Sequence, residues 1–328
     1  MDQVRLAIPN GHLMDETLSA MSRAGYSISG SSRTYQPSIN DHHIKLRVLR
    51  PQEIPIYVAE GIQDVGITGA DWIAETGANV ETLLDLDYSR VKIVVAVQNC
   101  MSEITSLSDL IEDFAKNGNI LRISTEYPNL ASRAVEKNPV YQDLFDTQKP
   151  VIITPWWRKG DNEKVAIYLS FGATEAKPPI AADAIIEVMD TGTSLRQNGL
   201  KVIDVLMESS ALLVCNPLAL SDLKKREKIL DIMTLLGGVI DGRKRLHIFV
   251  NVEKRNLDTL LELLPGLKRP TISPLADEDW VALNTVIDRD DYLRFIPVLR
   301  NLAQGLVVYE PRQVLSLEDI SVRGGATR

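Results

Sequence analysis

Residues 183–199 read Asp-Ala-Ile-Ile-Glu-Val-Met-Asp-Thr-Gly-Thr-Ser-Leu-Arg-Gln-Asn-Gly and combine a short apolar strand, a hydroxyl-rich turn and the start of a short helix. A strand that leads through a small turn into a helix forms an anion site, because the free N–H groups of the first helical turn point towards the ligand. The helix dipole favours negative charge at the same place. The stretch therefore predicts an α/β unit that holds an anion beyond the end of the strand.

The side chains of this stretch indicate which anion it holds. Hydroxyls of the turn 191–194 supply further donors, and Gly192 lets the backbone approach a phosphate closely. Glu187 and Asp190 are carboxylates that accept hydrogen bonds from sugar hydroxyls. The combination suits a ribose 5-phosphate, although a Thr or Ser before a helix is more often a plain N-cap.

Composition limits the class of protein. A length of 328 residues predicts two or three domains, and the net charge of −8 argues against nucleic acid or an anionic membrane as partner. Two cysteines give no disulfide framework, which fits a reducing cytosol. The N-terminus lacks a signal-peptide pattern, and no apolar run reaches the ~18 residues of a membrane span. We therefore expect a cytoplasmic protein.

The first part of the chain alternates short strands with helices. Strands are predicted at 4–8, 45–49, 64–68 and 91–97, and helices at 14–24 and 51–60. This βαβα order predicts a largely parallel sheet, in which ligands bind beyond the carboxyl ends of the strands. The turns 9–12 and 69–71 lie at such ends. The alternatives are a plain steric turn and simple N-capping by Asp71, and capping is the default.

Two further units follow along the chain. A second α/β unit is predicted at about 102–202, with strands at 121–124, 151–154, 165–169 and 184–189. Whether the next strand, 211–215, rejoins the first sheet stays open. After a charged helix at about 221–240, the order βαββαβ between 246 and 309 is typical of a ferredoxin-like unit. Because that unit holds no cluster of candidate catalytic groups, we interpret it as regulatory or oligomerising.

Basic and aromatic residues give further candidates. Arg33, Arg50 and Arg90 suit phosphate contacts because guanidinium is a bidentate donor, although an isolated arginine is usually a surface charge. The segment Trp-Trp-Arg-Lys-Gly at 156–160 either stacks a base or forms a loop with one tryptophan packed, and we favour packing. No His or Cys set has the spacing of a zinc site, and the metal ligands stay unknown.

Segments in a fixed order over nearly the whole chain resemble the long form of ATP phosphoribosyltransferase, the enzyme that opens histidine biosynthesis. They are 6–11 (Leu-Ala-Ile-Pro-Asn-Gly), 32–35 (Ser-Arg-Thr-Tyr), 50–54 (Arg-Pro-Gln-Glu-Ile), 64–72 (Asp-Val-Gly-Ile-Thr-Gly-Ala-Asp-Trp), 124–130 (Ser-Thr-Glu-Tyr-Pro-Asn-Leu), 172–177 (Gly-Ala-Thr-Glu-Ala-Lys), 187–195 and 206–210 (Leu-Met-Glu-Ser-Ser). The stretch 187–195 is similar to the family's phosphoribosyl diphosphate loop. So many motifs in the right order make the resemblance specific.

The resemblance implies a two-lobed α/β core like a type II periplasmic binding protein, with the active site in the cleft, and a C-terminal ferredoxin-like βαββαβ regulatory domain. Lobe I, on the nucleotide side, would cover residues 1–97 and 203–221. Lobe II, with the phosphoribosyl diphosphate loop, would cover 98–202, and the regulatory domain 222–328.

It also implies the reaction, which is transfer of the 5-phosphoribosyl group from phosphoribosyl diphosphate to N1 of ATP with release of pyrophosphate. Mg²⁺ would be the cofactor, histidine the feedback inhibitor, and the assembly a dimer or hexamer of this chain. The catalytic residues would be Glu187 and Asp190. Phosphoribosyl diphosphate would contact Glu187, Asp190, Thr191, Gly192, Thr193, Ser194 and Leu195, and ATP would contact Asn10, Gly11, His12, Arg33, Arg50, Gly69, Asp71, Tyr127 and Pro128.

The chain departs from the family pattern after the first strand. Asn10-Gly11-His12 stands where the family usually has Lys-Gly-Arg or Lys-Gly-Ser, so a fixed positive charge is missing from the polyphosphate site. Two alternatives to the resemblance remain. One is a two-lobed small-anion binding or sensor protein without catalysis, and the other is a phosphoribosyltransferase for a different base.

Overall fold

The computed structural model describes residues 3–30, 34–264 and 270–315, which divide into two compact units. One unit contains Leu6–Met14 and Val48–Leu218, and the other contains the remaining described residues.

The strands are β1 (Val4–Pro9), β2 (Ile28–Ser29), β3 (Ser38–Ile39), β4 (Ile44–Leu49), β5 (Val65–Gly69), β6 (Glu81–Asp85), β7 (Val91–Gln98), β8 (Leu121–Thr125), β9 (Pro150–Ile153), β10 (Arg158–Lys159), β11 (Asn162–Leu169), β12 (Ala184–Met189), β13 (Leu200–Ser209), β14 (Ala211–Cys215), β15 (Arg245–Glu253), β16 (Thr271–Pro274), β17 (Trp280–Asp288) and β18 (Ala303–Tyr309). The α-helices are α1 (Met14–Arg23), α2 (Ile54–Ala59), α3 (Ala70–Thr76), α4 (Leu107–Lys116), α5 (Pro128–Glu136), α6 (Pro139–Phe145), α7 (Thr193–Gln197), α8 (Pro217–Ser221), α9 (Leu223–Arg243), α10 (Lys254–Leu263) and α11 (Arg289–Leu302).

The first sheet has five strands in the order β4-β1-β5-β14-β6. Strands β1 and β5 are parallel, whereas β14 runs antiparallel to both β5 and β6. Strand 211–215 therefore rejoins the first sheet. The sheet is mixed rather than largely parallel, because β14 returns from far along the chain and helix–strand alternation predicts only the pairing of successive strands. With α2 and α3 this sheet forms the first lobe.

The second sheet has seven strands in the order β10-β9-β11-β8-β12-β7-β13. Four neighbours, β9, β11, β8 and β12, are parallel, and β7 and β13 extend the sheet by antiparallel pairs. The carboxyl ends of the four parallel strands therefore lie along one edge, which we call the carboxyl edge. This sheet and helices α4 to α7 form the second lobe.

Local sequence explains how the helices of the second lobe pack on its sheet. Helix α4 begins after Ser106, whose Oγ accepts a hydrogen bond of 3.1 Å from the N–H of Asp109 and so caps the helix. Its buried residues, Leu107, Leu110 and Ile111, recur at spacings of three and four and face the core. An amphipathic helix of this kind buries one apolar stripe against the sheet.

Strands β7 and β13 contain the predicted boundaries between the two lobes. The predicted boundaries, 97/98 and 202/203, fall inside these two strands, and both strands pair within the second sheet. Hydrophobic periodicity identifies a strand but not the sheet that it joins. The limits 1–97 with 203–221, 98–202 and 222–328 stay a prediction.

The C-terminal strands form a separate four-stranded antiparallel sheet in the order β16-β17-β15-β18. With α10 and α11 in the chain order βαββαβ, this is the ferredoxin-like arrangement, and that prediction is confirmed. Leu260 and Phe295 of the two helices pack with Leu283 in its core. None of the described helices is long and apolar enough to cross a membrane.

Candidate active site

The carboxyl edge of the second sheet carries the side chains that sequence analysis singled out. Strand β8 ends at Thr125, so Glu126 and Tyr127 follow it directly. Strand β12 carries Glu187 near its end and leads into Asp190 and the turn 191–194. Because β8 and β12 are parallel neighbours, these groups share one edge of the sheet.

A cleft of about 300 Å³ opens beside this edge. Predicted residues of both substrate groups line it together, although they come from distant parts of the chain. The lining residues are Asn10, Gly11, His12, Arg50, Pro51, Gln52, Trp72, Glu126, Tyr127, Glu187 and Val188. Arg50 is the one residue among these with a fixed positive charge, so the missing lysine or arginine of the 10–12 turn leaves a single guanidinium at this cleft.

Glu187 is a partly buried carboxyl that lines the cleft. Burial raises its pKa, and the nearby carboxylates of Glu126 and Glu175 raise it further, while the N–H of Val188, which donates at 2.9 Å, lowers it. Burial also raises the pKa of Glu126, and Glu175 adds to that effect, while the N–H of Gly172 opposes it. The cleft therefore concentrates negative charge that favours cationic or hydroxyl-bearing partners.

The turn after β12 combines a positive-φ glycine with several hydroxyl side chains. Gly192 has a φ of +71°, which side-chain-bearing residues adopt only with strain, and it precedes α7. The hydroxyls of Thr191 and Thr193 lie 3.0 Å apart, and Arg196 donates to Thr193 at 3.2 Å. Ser194 donates to Glu175. Several hydroxyls and a guanidinium thus converge on one exposed turn.

Leu195 differs from the rest of the predicted loop. Its side chain is buried and packs with Val94, Ala96, Ile185 and Leu200. It anchors the turn to the sheet, so its side chain faces the core and away from any ligand in the turn.

Asp71 has a different role from the expected N-cap. It lies inside α3, and its carboxylate accepts hydrogen bonds from Tyr127 Oη at 2.8 Å and from Ser209 Oγ at 2.6 Å. Burial raises the pKa of the Tyr127 phenol, and the Asp71 carboxylate raises it further, so the phenol stays a donor. Capping by Asp71 is a wrong expectation, because Gly69 is the N-cap of α3 and both carboxylate oxygens of Asp71 accept from Tyr127 and from Ser209 at the end of β13. Gly69 lies beside this group and leaves no room for a side chain.

The same helix joins the two lobes at a seam beside the cleft. The ring of Trp72 stacks on Tyr127 with centroids 4.4 Å apart, and it belongs to the hydrophobic core of the second lobe. One turn later, the buried carboxylate of Glu75 accepts from the N–H groups of Asn129 and Leu130 at 3.0 and 2.8 Å. Glu75 thereby satisfies free N–H groups at the start of α5.

Asp190 and Arg90 line a neighbouring cleft of about 360 Å³. Its walls also include Lys92, which pairs with Glu208 at 3.3 Å, while Arg90 pairs with Asp87 at 2.5 Å. Both cations are already engaged by carboxylates of the chain. This cleft therefore offers no uncompensated positive charge.

Four other residues, two predicted and two missed, complete the account of the site. Pro128 is buried at the first turn of α5 and lies outside the cleft lining, and Arg33 lies outside the described residues. Glu126 and Trp72 line the cleft but were not predicted as site residues. The sequence did contain a signal for Glu126, because this residue directly follows a predicted strand and ligands of such sheets bind beyond the carboxyl ends of the strands.

The two adjacent tryptophans contradict the expectation of packing. Trp156 is 73% exposed and Trp157 is 47% exposed, so neither is packed into a core. The reason is their position, since both lie in the short connection between β9 and β10 at the end of the sheet. Aromatic character alone does not distinguish a core residue from an exposed one.

The fold and the cleft define a class. The protein is an α/β protein with a two-lobed core of the type II periplasmic-binding-protein kind, a hydroxyl-rich turn at a carboxyl edge, and a C-terminal ferredoxin-like module. A family model described as HisG, ATP phosphoribosyltransferase, matches residues 50–238, and one described as the HisG C-terminal domain matches 242–312. The chain belongs to the ATP phosphoribosyltransferase family, and its activity is that of a pentosyltransferase.

Individual relatives are similar in sequence to this protein over most of its length. An ATP phosphoribosyltransferase of Solibacter usitatus is 37% identical over 318 residues, which cover 95% of this chain and 99% of the relative. One of Prosthecochloris aestuarii is 36% identical over 318 residues, covering 95% and 97%. A solved ATP phosphoribosyl transferase (HisG:HisZ) complex from Thermotoga maritima is similar in fold, with a TM-score of 0.55 at 21% identity, covering 73% of this chain and 99% of that chain.

Proposed function

We propose that the cleft beside the carboxyl edge binds both substrates, with phosphoribosyl diphosphate on the second lobe and ATP reaching it from the first. The observation that carries the proposal is the single cleft in which Asn10, His12 and Arg50 meet Tyr127 and Glu187. The 5-phosphate lies in the turn 191–194, where the hydroxyls of Thr191 and Thr193 and the guanidinium of Arg196 lie close together. The triphosphate of ATP lies towards Arg50.

The reaction follows from this placement. Adenine N1 uses its lone pair to form a bond to the anomeric carbon, and the bond from that carbon to the diphosphate oxygen breaks with its electrons leaving on pyrophosphate. No side chain has to supply or remove a proton, so orientation and electrostatic stabilisation dominate. Glu187 and Asp190 hold the ribose hydroxyls, and the Glu187 carboxylate stabilises positive charge that develops on the ribose.

Mg²⁺ fits this site as a substrate-borne ion. Among residues 3–30, 34–264 and 270–315, no group of three or more His, Cys, Asp or Glu is placed to hold a metal. Mg²⁺ commonly keeps several waters and takes one or two carboxylates together with substrate phosphates. Asp190 and Glu187 would provide those carboxylates. The ion would neutralise charge on the diphosphate.

The binding-protein alternative makes a different prediction for one experiment. Protein mixed with ATP, phosphoribosyl diphosphate and Mg²⁺ should release pyrophosphate, and omission of either substrate should abolish the release. A sensor without catalysis would bind a ligand but release none. Replacement of ATP by other bases tests the second alternative, a phosphoribosyltransferase with a different acceptor.

Thr193→Val tests the anion turn. Loss of one hydrogen bond to a charged ligand costs roughly 1.5–3 kcal/mol, so kcat/KM for phosphoribosyl diphosphate should fall about ten- to hundredfold. The KM for ATP should stay close to that of the wild type. Thr147→Val, at an exposed threonine remote from the turn, is the matched control. A change of less than about twofold in both kcat and KM for phosphoribosyl diphosphate, set against the tenfold expectation, would remove Thr193 from the site.

We further propose that the ferredoxin-like module binds histidine as feedback inhibitor and mediates assembly into a dimer or hexamer. Its sheet supports this role, because the face opposite α10 and α11 carries exposed Phe249, Val307 and Tyr309. Exposed apolar side chains clustered on one face are typical of an interaction surface.

Histidine should therefore inhibit the intact enzyme and bind to it in a calorimeter, with a coupling between the two sites of about 1–3 kcal/mol. The wild-type mass by light scattering should be that of a dimer or hexamer. Phe249→Ser combined with Tyr309→Ser should weaken assembly, whereas Leu293→Ser, at an exposed residue of α11, serves as control. An intact enzyme that ignores a large excess of histidine would contradict the regulatory role.

A further inference from the structure

Two large aromatic side chains stand exposed at the carboxyl edge of the second sheet. Trp156 follows β9, and Phe171 follows β11 and is 70% exposed. Their rings meet edge to face with centroids 5.9 Å apart. Apolar area in water costs about 25 cal/mol per Å². A pair of exposed rings that contact each other therefore indicates a surface that a ligand covers.

The aromatic pair lies in line with the proposed sugar-phosphate site. The four parallel strands run β9-β11-β8-β12, so Trp156, Phe171, Glu126 and the turn 191–194 follow one another along the carboxyl edge. Neighbouring strands are about 4.8 Å apart, which places Phe171 two strand spacings, or roughly 10 Å, from the turn.

Hydrogen bonds connect the segment that carries Phe171 to the cleft and to the turn 191–194. Gly172, the neighbour of Phe171, donates its N–H to Glu126, which lines the cleft. A few residues further on, Glu175 accepts a hydrogen bond from Ser194 of the turn. The segment that carries Phe171 is therefore continuous with the site.

The chemistry of the transfer requires a purine near this place. For N1 to attack, it must approach the anomeric carbon to about 3–3.5 Å. Because the turn 191–194 holds the 5-phosphate on the second lobe, the adenine ring must also lie over the second lobe while the triphosphate extends towards Arg50. The distance from the turn to the aromatic pair is comparable to the span of a ribose and one purine ring.

We propose that Trp156 and Phe171 form the platform on which the adenine ring of ATP stacks. The inference rests on the proposed function, which puts the sugar phosphate in the turn 191–194. Two aromatic side chains offer only ~150–250 Å² each, far below the ~1,600 Å² of a stable protein interface. Their area suits one planar ring rather than a second protein surface.

Steady-state kinetics of Trp156→Ala and Phe171→Ala test the platform. Each variant should raise the KM for ATP about five- to hundredfold, as base–aromatic stacking predicts, with the KM for phosphoribosyl diphosphate unchanged. Trp156→Phe should restore most of the affinity. Trp157→Ala is the matched control, because Trp157 lies next to Trp156 and makes no ring contact among the described residues.

Tryptophan fluorescence gives a measurement that does not depend on turnover. ATP should quench the emission of the wild type and of Trp157→Phe, and the part of the quenching that is lost in Trp156→Phe reports on the platform, while Trp72, which lines the cleft, contributes equally in all three proteins. Ribose 5-phosphate, which has no base, should change the emission of the wild type and of Trp156→Phe by the same amount.

The outcomes separate the platform from the proposed function. Wild-type pyrophosphate release with unchanged KM for ATP in both alanine variants overturns the platform alone. A wild type that binds ATP with quenching but releases no pyrophosphate supports the platform and contradicts the proposed function. A change of oligomer mass in Trp156→Ala without a change in KM for ATP makes the pair an interface between copies and overturns the platform.

Discussion

Glu187→Gln should lower turnover by about 10²–10³-fold while raising the stability of the protein at neutral pH. The loss of turnover follows from removing a preorganised charge at the place where positive charge develops on the ribose. The gain in stability follows from the burial of Glu187 and from its repulsion by Glu126 and Glu175. A neutral amide of the same shape escapes both penalties.

The stability difference should depend on pH with a definite sign. Burial raises the pKa of Glu187 above its ordinary value of 4.5, so the folded state favours the protonated carboxyl. The contribution that protonated Glu187 makes to stability is therefore fully present below the ordinary pKa. It is lost as the pH rises through the higher pKa of the folded state. The advantage of Glu187→Gln should therefore be largest at pH 7–8 and vanish towards pH 4, where both side chains are neutral.

Urea denaturation at several pH values measures this difference. Glu112→Gln is the matched control, since Glu112 is a half-exposed carboxylate on α4 that pairs with Lys116 at 2.7 Å. The control should show little change in stability or turnover, as is usual for surface ion pairs. A Glu187→Gln variant that is less stable than the wild type at pH 8 would contradict the assigned burial penalty, and near-normal turnover would remove Glu187 from the reaction.

Gly69→Ala should destabilise the protein by about 1–3 kcal/mol and raise the KM for ATP. A methyl group at this position would overlap Oδ1 of Asp71. A flexible carboxylate would normally move aside, but this one is held by Tyr127 on one oxygen and by Ser209 on the other. Any movement breaks a buried hydrogen bond, which adds to the cost of overpacking.

A double-mutant cycle tests this cause directly. In an Asp71→Ala background the clashing oxygen is absent, so the added cost of Gly69→Ala should largely disappear. Both single variants and the double variant are measured by urea denaturation and by the KM for ATP. If the cost of Gly69→Ala is the same in both backgrounds, contact with Asp71 is not its source.

Sequence was sufficient where short-range physics decides the structure. Strand β12 and the turn after it were predicted with their bounds, because an apolar β-rich run followed by a hydroxyl-rich turn with a glycine leaves few alternatives there. The ferredoxin-like order was readable for the same reason, since its helices and strands alternate with clear periodicity. The family resemblance then supplied the reaction, which periodicity alone does not define.

Sequence was insufficient where partners come from far along the chain. The role of Asp71 depends on Tyr127 and Ser209, which lie 56 and 138 residues away, and no local pattern encodes such a pairing. The sheet that β7 joins and the exposure of Trp156 are likewise set by tertiary packing. Local propensity predicts where a strand lies, while long-range contacts decide which sheet it joins and which side chains are exposed to solvent.

Trp72 has a consequence for how the core unfolds. By chain it belongs to the first lobe, yet its ring is part of the hydrophobic core of the second. Opening the seam therefore exposes that core as well, so the two lobes share one cooperative unit rather than melting separately. Amide hydrogens of α3 and α5 should exchange at the same slow rate. A chimaera that takes its second lobe from a relative would need a compatible α3 as well, because the ring of Trp72 on α3 packs into the core of that lobe.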